Sequence, residues 1–315
     1  NYATSNNTAT PYVHNVRNAT TTTLTSNNNP SIYGQNVTFT STTTSAAAGT
    51  ITGSVSFYNG ATLLGTDNTI VGGVADFSIN SLVVGTHPIT AVYSGGGIFA
   101  TSTSASLDQV VDKAILTVTA DNQTITYGDA DPIFTFTYSG FVLGETSAVV
   151  DTPPTCDAPT PHVDAGTYPG IIVCSGGLDN NYTFNYVNGN LTVDPKALTI
   201  TADNQGKAFN TLFTFAGTEF TPSGLILGDT IASVTLTSLG TPVLAPVGTY
   251  PIVPSVAVAG PGTNLGNYTI AYVNGTMTVT TNTILTITAV DQTKIYGDVF
   301  TFNGSLAGGM FTVSG

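Results

Sequence analysis

The chain is 315 residues long, 41% hydrophobic but only 7% charged, with a formal charge of −13. Its cations, Arg17, Lys113, Lys196, Lys207 and Lys294, are too few to neutralise a run of phosphates, which argues against nucleic acid or an anionic membrane as partner. No run of about 18 apolar residues is present, so membrane insertion by a helix is not expected. Thr, Asn, Ser and Gly supply the polar surface, and no stretch has the Ala, Leu, Glu and Lys periodicity of a long helix. Stiff, β-branched Thr suits a pleated face, so the expected fold class is all-β.

In chain order, Tyr2-Ala-Thr-Ser5 matches Phe99-Ala-Thr-Ser102, which precedes the last strand of the unit that follows. Residues 1–18 therefore read as the final strand of an earlier domain, with Tyr2, Val13 and Val16 as candidate strand-exchange positions. Residues 19–112 form the next unit, with strands expected at 21–26, 36–43, 53–58, 75–79, 86–93 and 104–111. Asn29-Pro30, Asn59-Gly60, Gly72-Gly73 and Gly95-Gly96-Gly97 punctuate them as turns, at a spacing close to that of a β-sandwich. The inward set is expected to hold Val37, Phe39, Val55, Phe57, Leu63, Phe77, Leu82, Ile89 and Val92.

An internal repeat follows, in units 113–194, 195–281 and an incomplete 282–315. Ala120-Asp-Asn-Gln-Thr124 recurs as Ala202-Asp-Asn-Gln-Gly206 and Ala289-Val-Asp-Gln-Thr293, each after an alternating strand. Asn181-Tyr-Thr-Phe-Asn-Tyr-Val-Asn-Gly189 returns as Asn267-Tyr-Thr-Ile-Ala-Tyr-Val-Asn-Gly275, and the Asn-Gly pairs predict hairpin turns. Gly144-Glu-Thr-Ser-Ala-Val-Val150 and Gly228-Asp-Thr-Ile-Ala-Ser-Val234 predict one short helical turn per unit. Ile284 and Ile287, in the incomplete unit, are further strand-exchange candidates.

Residues 20–112 resemble the bacterial Ig-like repeats, through Asn29-Pro-Ser-Ile-Tyr-Gly-Gln-Asn-Val-Thr-Phe39, Gly53-Ser-Val-Ser-Phe-Tyr58 and Gly85-Thr-His-Pro-Ile-Thr-Ala-Val-Tyr-Ser-Gly95. The following units resemble the MBG repeats of bacterial adhesins, whose Tyr-Gly-Asp motif stands here as Tyr127-Gly-Asp129 and Tyr296-Gly-Asp298. The middle unit carries Ala208-Phe209-Asn210 instead, so a differently shaped turn is expected there. The resemblance implies a tandem array of Ig-like sandwiches and small, mostly-β, β-grasp-like domains. It implies a stalk of a large extracellular or bacterial cell-surface protein, and no catalysis.

Residue chemistry points the same way. His14, His87 and His162 fall in three different units, with His87 expected in a surface or loop position, and Glu145 and Glu219 stand one per repeat. No catalytic or cofactor-binding residue is assigned and no cofactor is expected. Cys156 and Cys174, 18 positions apart in a repeat whose neighbour lacks both, suggest a structural disulfide; they fall short of a zinc set even with His162. Asp129 and Asp131 are weak calcium candidates, more simply read as turn-formers. A Lys–Asn crosslink at Lys113 or Lys196, beside Asp112 and Asp194, would require burial. Asn-x-Ser/Thr sequons such as Asn18, Asn122 and Asn181, and the Thr20–Thr25 run, leave glycosylation open.

Short junctions such as Val193-Asp-Pro-Lys-Ala-Leu198 favour a semi-rigid rod over a flexible string. The primary expectation is a non-catalytic stalk whose partners are neighbouring domains of the same or identical chains. One alternative is a filament subunit assembled head to tail by strand complementation between incomplete ends. The other is an adhesin module, with Tyr33, Tyr58 and Tyr93 as candidate contacts, although a glycan or protein ligand is better met by a separate head domain.

Overall fold

Alternation of Thr with Val, Ile and aromatic residues gives each segment one face for a core and one for water. A computed structural model describes residues 16–159, 163–226, 228–282, 285–301 and 311–314, and there this alternation produces strands throughout. The helical content of the described residues is two 3-10 turns, Ser147–Val149 and Leu265–Asn267. Tyr2, Val13, His14, His162 and Ile284 lie outside the described residues.

Residues 21–112 supply β1 (Thr21–Ser26), β2 (Ser31–Ile32), β3 (Val37–Thr44), β4 (Val55–Asn59), β5 (Thr62–Asp67), β6 (Val74–Ile79), β7 (Gly85–Tyr93), β8 (Ser102–Thr103) and β9 (Leu107–Asp112). One sheet runs β1-β3-β6; the other runs β2-β9-β7-β4-β5, with β8 against β7. Val37, Phe39, Val55, Phe57, Leu82 and Ile89 are buried as expected. Leu63 is exposed, because β5 is an edge strand. Phe77 is partly buried against the core, stacked on Phe57 at 5.6 Å. On β7 the inward positions after Ile89 are Ala91 and Tyr93, so Val92 faces away; side chains alternate with period two. Tyr33 and Tyr93 are buried, which removes both from any exposed adhesive surface.

The first repeat gives β10 (Ala114–Ala120), β11 (Gln123–Thr126), β12 (Phe136–Ser139), β13 (Thr155–Asp157), β14 (Gly166–Ser175), β15 (Tyr182–Val187) and β16 (Gly189–Asp194). The second gives β17 (Lys196–Ala202), β18 (Gln205–Ala208), β19 (Phe220–Ser223), β20 (Ile231–Thr237), β21 (Gly248–Ala259), β22 (Tyr268–Val273) and β23 (Gly275–Thr280). Sheet order repeats with the sequence: β12-β10-β15 and β11-β16-β14-β13, then β19-β17-β22 and β18-β23-β21-β20. Leu198, Ile200, Ile252, Tyr268 and Met277, drawn from both sheets of the second repeat, share one core. Each repeat is thus a pair of sheets. Within 144–150 the first repeat carries one short helical turn, Ser147–Val149, as expected; in the second, β20 takes up most of the segment where a turn was expected. After these come β24 (Thr286–Ala289) and β25 (Phe311–Ser314), paired antiparallel in the register of β10 with β12.

The two later Asn-Gly pairs are not hairpin turns. β15 and β16 flank Asn188 but belong to different sheets, as do β22 and β23 around Asn274. A Cβ on Gly275 would lie 2.3 Å from the Ala202 carbonyl oxygen, and one on Gly189 would lie 2.9 Å from that of Ala120. Glycine is required there because two backbones meet closely where the chain changes sheet. Asn59-Gly60 does close the β4–β5 hairpin, with Gly60 at φ 58°.

The chain divides into two compact units: Asn1–Gln123 with Ile133–Pro159 and Tyr168–Leu191, and Thr124–Pro132 with Thr160–Thr167 and Thr192–Gly315. Each cluster described next lies wholly within one of them.

Candidate functional site

One four-residue turn recurs four times: Ile32-Tyr33-Gly34-Gln35, Thr126-Tyr127-Gly128-Asp129, Ala208-Phe209-Asn210-Thr211 and Ile295-Tyr296-Gly297-Asp298. In each, the fourth N–H donates to the first carbonyl, at 2.9, 2.9, 3.3 and 3.2 Å in that order. The third residue has φ of 81°, 83°, 69° and 93° respectively, which is what a type II turn demands. The middle repeat therefore keeps the turn despite its different residues, because Asn is among the few side chains that tolerate this region. The turn is tied down behind by the N–H of Tyr33, Tyr127 and Phe209, which donate to the carbonyls of Asp112, Asp194 and Thr280.

Two of these turns present a tyrosine to a carboxylate of the following repeat. In the first unit, Tyr33 Oη donates to Glu145 Oε1 at 2.8 Å and Tyr182 Oη donates to Glu145 Oε2 at 2.5 Å. The two rings meet edge to face at 5.7 Å, and the Val142 N–H donates to Tyr182 Oη at 3.0 Å. A Cβ on Gly34 would lie 2.5 Å from Val142 Cγ2, so the turn and the 141–145 loop are in direct contact. The Val84 N–H, just ahead of β7, donates to Asn181 Oδ1 at 3.2 Å.

The second unit repeats this arrangement. Tyr127 Oη donates to Asp229 Oδ2 at 3.1 Å, and Tyr268 Oη donates to the same oxygen. The rings meet at 5.5 Å and 80°, and the Ile226 N–H donates to Tyr268 Oη at 3.0 Å. A Cβ on Gly128 would fall 1.7 Å from Ile226 Cδ1. The Ala165 N–H, just ahead of β14, donates to Asn267 Oδ1 at 2.8 Å, while Asn267 Nδ2 donates to Asp164 at 2.7 Å. Thus Tyr-Gly, Gly-(Glu/Asp)-Thr and Asn-Tyr, three motifs far apart in sequence, form one recurring site.

Burial, reinforced by the adjacent Glu145 carboxylate, pushes Tyr33 and Tyr182 up to about 12. Burial and Asp229 do the same to Tyr268, and burial is the main cause of the rise at Tyr127. All four phenols therefore stay protonated at neutral pH and act as donors, which is the role a carboxylate partner requires.

The model of the MBG domain (YGX type) matches residues 116–192 and 198–278, together half of the chain. The chain belongs to the MBG family. The bacterial Ig-like domain (group 3) model matches residues 24–112, ahead of the two MBG repeats. Among solved structures, the chain is similar to the fibronectin(III)-like modules of Clostridium thermocellum CbhA at 13% identity, covering 82% of this chain and 94% of that one with a TM-score of 0.22. It is similar to invasin, a bacterial integrin-binding protein, at 15% identity, covering 85% and 61% with a TM-score of 0.38. It is also similar to the Escherichia coli adhesin FdeC at 16% identity, covering 82% and 96% with a TM-score of 0.24. No curated protein matches.

The remaining expected positions place as follows. Cys156 and Cys174 are opposite each other on β13 and β14 of the first MBG repeat, and their sulfurs are bonded. Asp129 and Asp131 sit on the turn segment of that repeat, where the Asp129 N–H closes the turn onto Thr126. Among the described residues, no group of three or more His, Cys, Asp or Glu could hold a metal ion. Lys113 is exposed, with Nζ on the Asp179 carbonyl at 2.7 Å, so it lacks the burial a crosslink needs. His87 is buried on β7, not at the surface: Nε2–H donates to the Val83 carbonyl at 2.8 Å, which leaves Nδ1 to accept from Asn59 at 2.9 Å. Val16 is exposed, and Ile287 pairs with Val313 between β24 and β25.

Proposed function

We propose that this array of a bacterial Ig-like domain and MBG repeats is a non-catalytic stalk segment of an extracellular, surface-attached or secreted bacterial protein. The observation that carries the reading is the recurrence of the tyrosine–carboxylate site, with the same motifs, where each MBG repeat meets the repeat before it. A site that couples neighbours, built twice from residues 94 positions apart (Tyr33 and Tyr127), fits a chain selected to hold its repeats in fixed relation. Three acidic side chains are also committed to structure. Glu145 and Asp229 each accept from two tyrosines, and Glu219 accepts from the backbone N–H groups of Ala216, Gly217 and Thr218.

Negative-stain microscopy with light scattering, over a concentration series of the whole chain, tests the proposal. The expected result is a monodisperse, elongated monomer. Concentration-dependent filaments would overturn it in favour of head-to-tail assembly by strand exchange.

A further inference from the structure

We propose that each MBG repeat is a shear clamp, resisting tension along the chain through parallel pairing of strands from its N-terminal end with strands from its C-terminal end, and that the Cys156–Cys174 bond limits how far the first repeat extends once its clamp fails. In the second repeat the chain enters at Lys196, the first residue of β17, and leaves at Thr280, the last residue of β23. β17 pairs in parallel with β22 from Lys196↔Tyr268 to Thr201↔Val273. β18 pairs in parallel with β23 from Gln205↔Met277 to Ala208↔Thr280, and the Phe209 N–H adds a bond to the Thr280 carbonyl at 2.8 Å.

This polarity decides how load is shared. Pulling the entry of β17 away from the exit of β23 drags the paired strands past each other along their length. Every rung then lies across the force and is loaded at once. An antiparallel neighbour pair such as β20–β21, pulled from its unconnected ends at Ile231 and Ala259, opens one rung at a time. Forced unfolding follows the unfolding barrier, so rupturing several rungs together raises the force required. Water cannot take over the bonds one by one, because Leu198, Ile200 and Met277 seal the inner face of these strands with no exposed surface.

The first MBG repeat repeats the arrangement between β10 and β15, Ala114↔Tyr182 to Thr119↔Val187 in parallel. In the Ig-like domain β2 and β9 are also parallel, but over only two pairs, Ser31↔Val111 and Ile32↔Asp112. The disulfide joins β13 to β14 and lies outside the β10–β15 ladder. It therefore adds nothing to the rupture force and acts only afterwards, holding back a loop of sequence separation 18.

Single-molecule stretching of the whole chain between terminal handles tests this. The two MBG repeats should rupture at higher force than the second repeat does when handles are attached at Ala232→Cys and Val258→Cys, two exposed positions near the open end of the β20–β21 pair, in a Cys156→Ser/Cys174→Ser background. Equal forces in the two geometries would overturn the clamp. Replacing both native cysteines should lengthen one terminal-pulling step by about 60 Å, the span of the released loop, without changing its force. Should that variant fail to fold its first repeat, the oxidised chain still decides: its two MBG steps should differ by about 75 Å, and equal steps would overturn the limiter. The clamp rests on the stalk reading only for the direction of load. Low rupture force in an elongated particle would remove the clamp alone, whereas filaments with high rupture force would remove the stalk alone.

Discussion

A phenol hydroxyl donating to a partly buried carboxylate is among the stronger neutral-donor hydrogen bonds, with a net contribution of about 1.5–3 kcal/mol. Tyr182 does two things at once, donating to Glu145 and accepting from the Val142 N–H. Tyr182→Phe should therefore cost about 2–3 kcal/mol, read as a loss of unfolding free energy by urea titration, and Tyr33→Phe should cost less, because only the donated bond goes. The pH dependence follows from the phenols. Their folded values stand at about 12, above the ordinary 10. A group whose value is raised on folding contributes fully below its unfolded value and loses that contribution as pH climbs through the folded one. Stability should thus hold up to about pH 10 and fall between about 10 and 12, and the fall should be shallower in Tyr182→Phe. An unchanged profile in that variant would show that other groups govern alkaline unfolding.

At the scale of the element, the Tyr-Gly turn shows what the sequence disclosed and what it withheld. Strand positions were readable because alternation and turn residues are local, and the edges of β1, β3 and β7 fall within about two residues of expectation. Asn188-Gly189 and Asn274-Gly275 misled because an Asn-Gly between apolar runs also suits a sheet-to-sheet crossing, where the missing Cβ rather than a positive φ is what counts. Glu145 reads in sequence only as an isolated glutamate in a helical-turn signal; its partner Tyr33 is 112 positions away, and no periodicity links them. The available signal was the co-repetition of Gly-Glu-Thr with Gly-Asp-Thr and of Asn-Tyr with Asn-Tyr. Since φ at Asn210 already matches the glycines, Asn210→Gly should change stability by only a few tenths of a kcal/mol. Gly128→Ala should cost at least about 1–2 kcal/mol, from its φ of 83° and the overlap with Ile226. Thermal unfolding of the two variants compares them directly; equal losses would mean that the turn is indifferent to both conformation and contact.

For the whole molecule, the test is whether a tyrosine–carboxylate site carries stability from one repeat to the next within its compact unit. In an array whose units interact with nearest neighbours, stability is approximately a sum of intrinsic terms and interface terms, so damage at one interface should reach the units beside it and fade beyond. Tyr33 makes the sharpest probe, because it belongs to the Ig-like domain while its acceptor Glu145 belongs to the first MBG repeat. Tyr33→Phe leaves every hydrogen bond within that repeat intact, including Tyr182 to Glu145. If the interface term is real, amide exchange should nonetheless quicken in β12 and β15, which flank β10 in the repeat that was not mutated. Exchange in β21 and β22 of the second repeat should stay at its original rate, since their carboxylate site is built from Tyr127, Asp229 and Tyr268. Quickening confined to the Ig-like strands would reduce Tyr33 to a local stabiliser, and the series to independent beads.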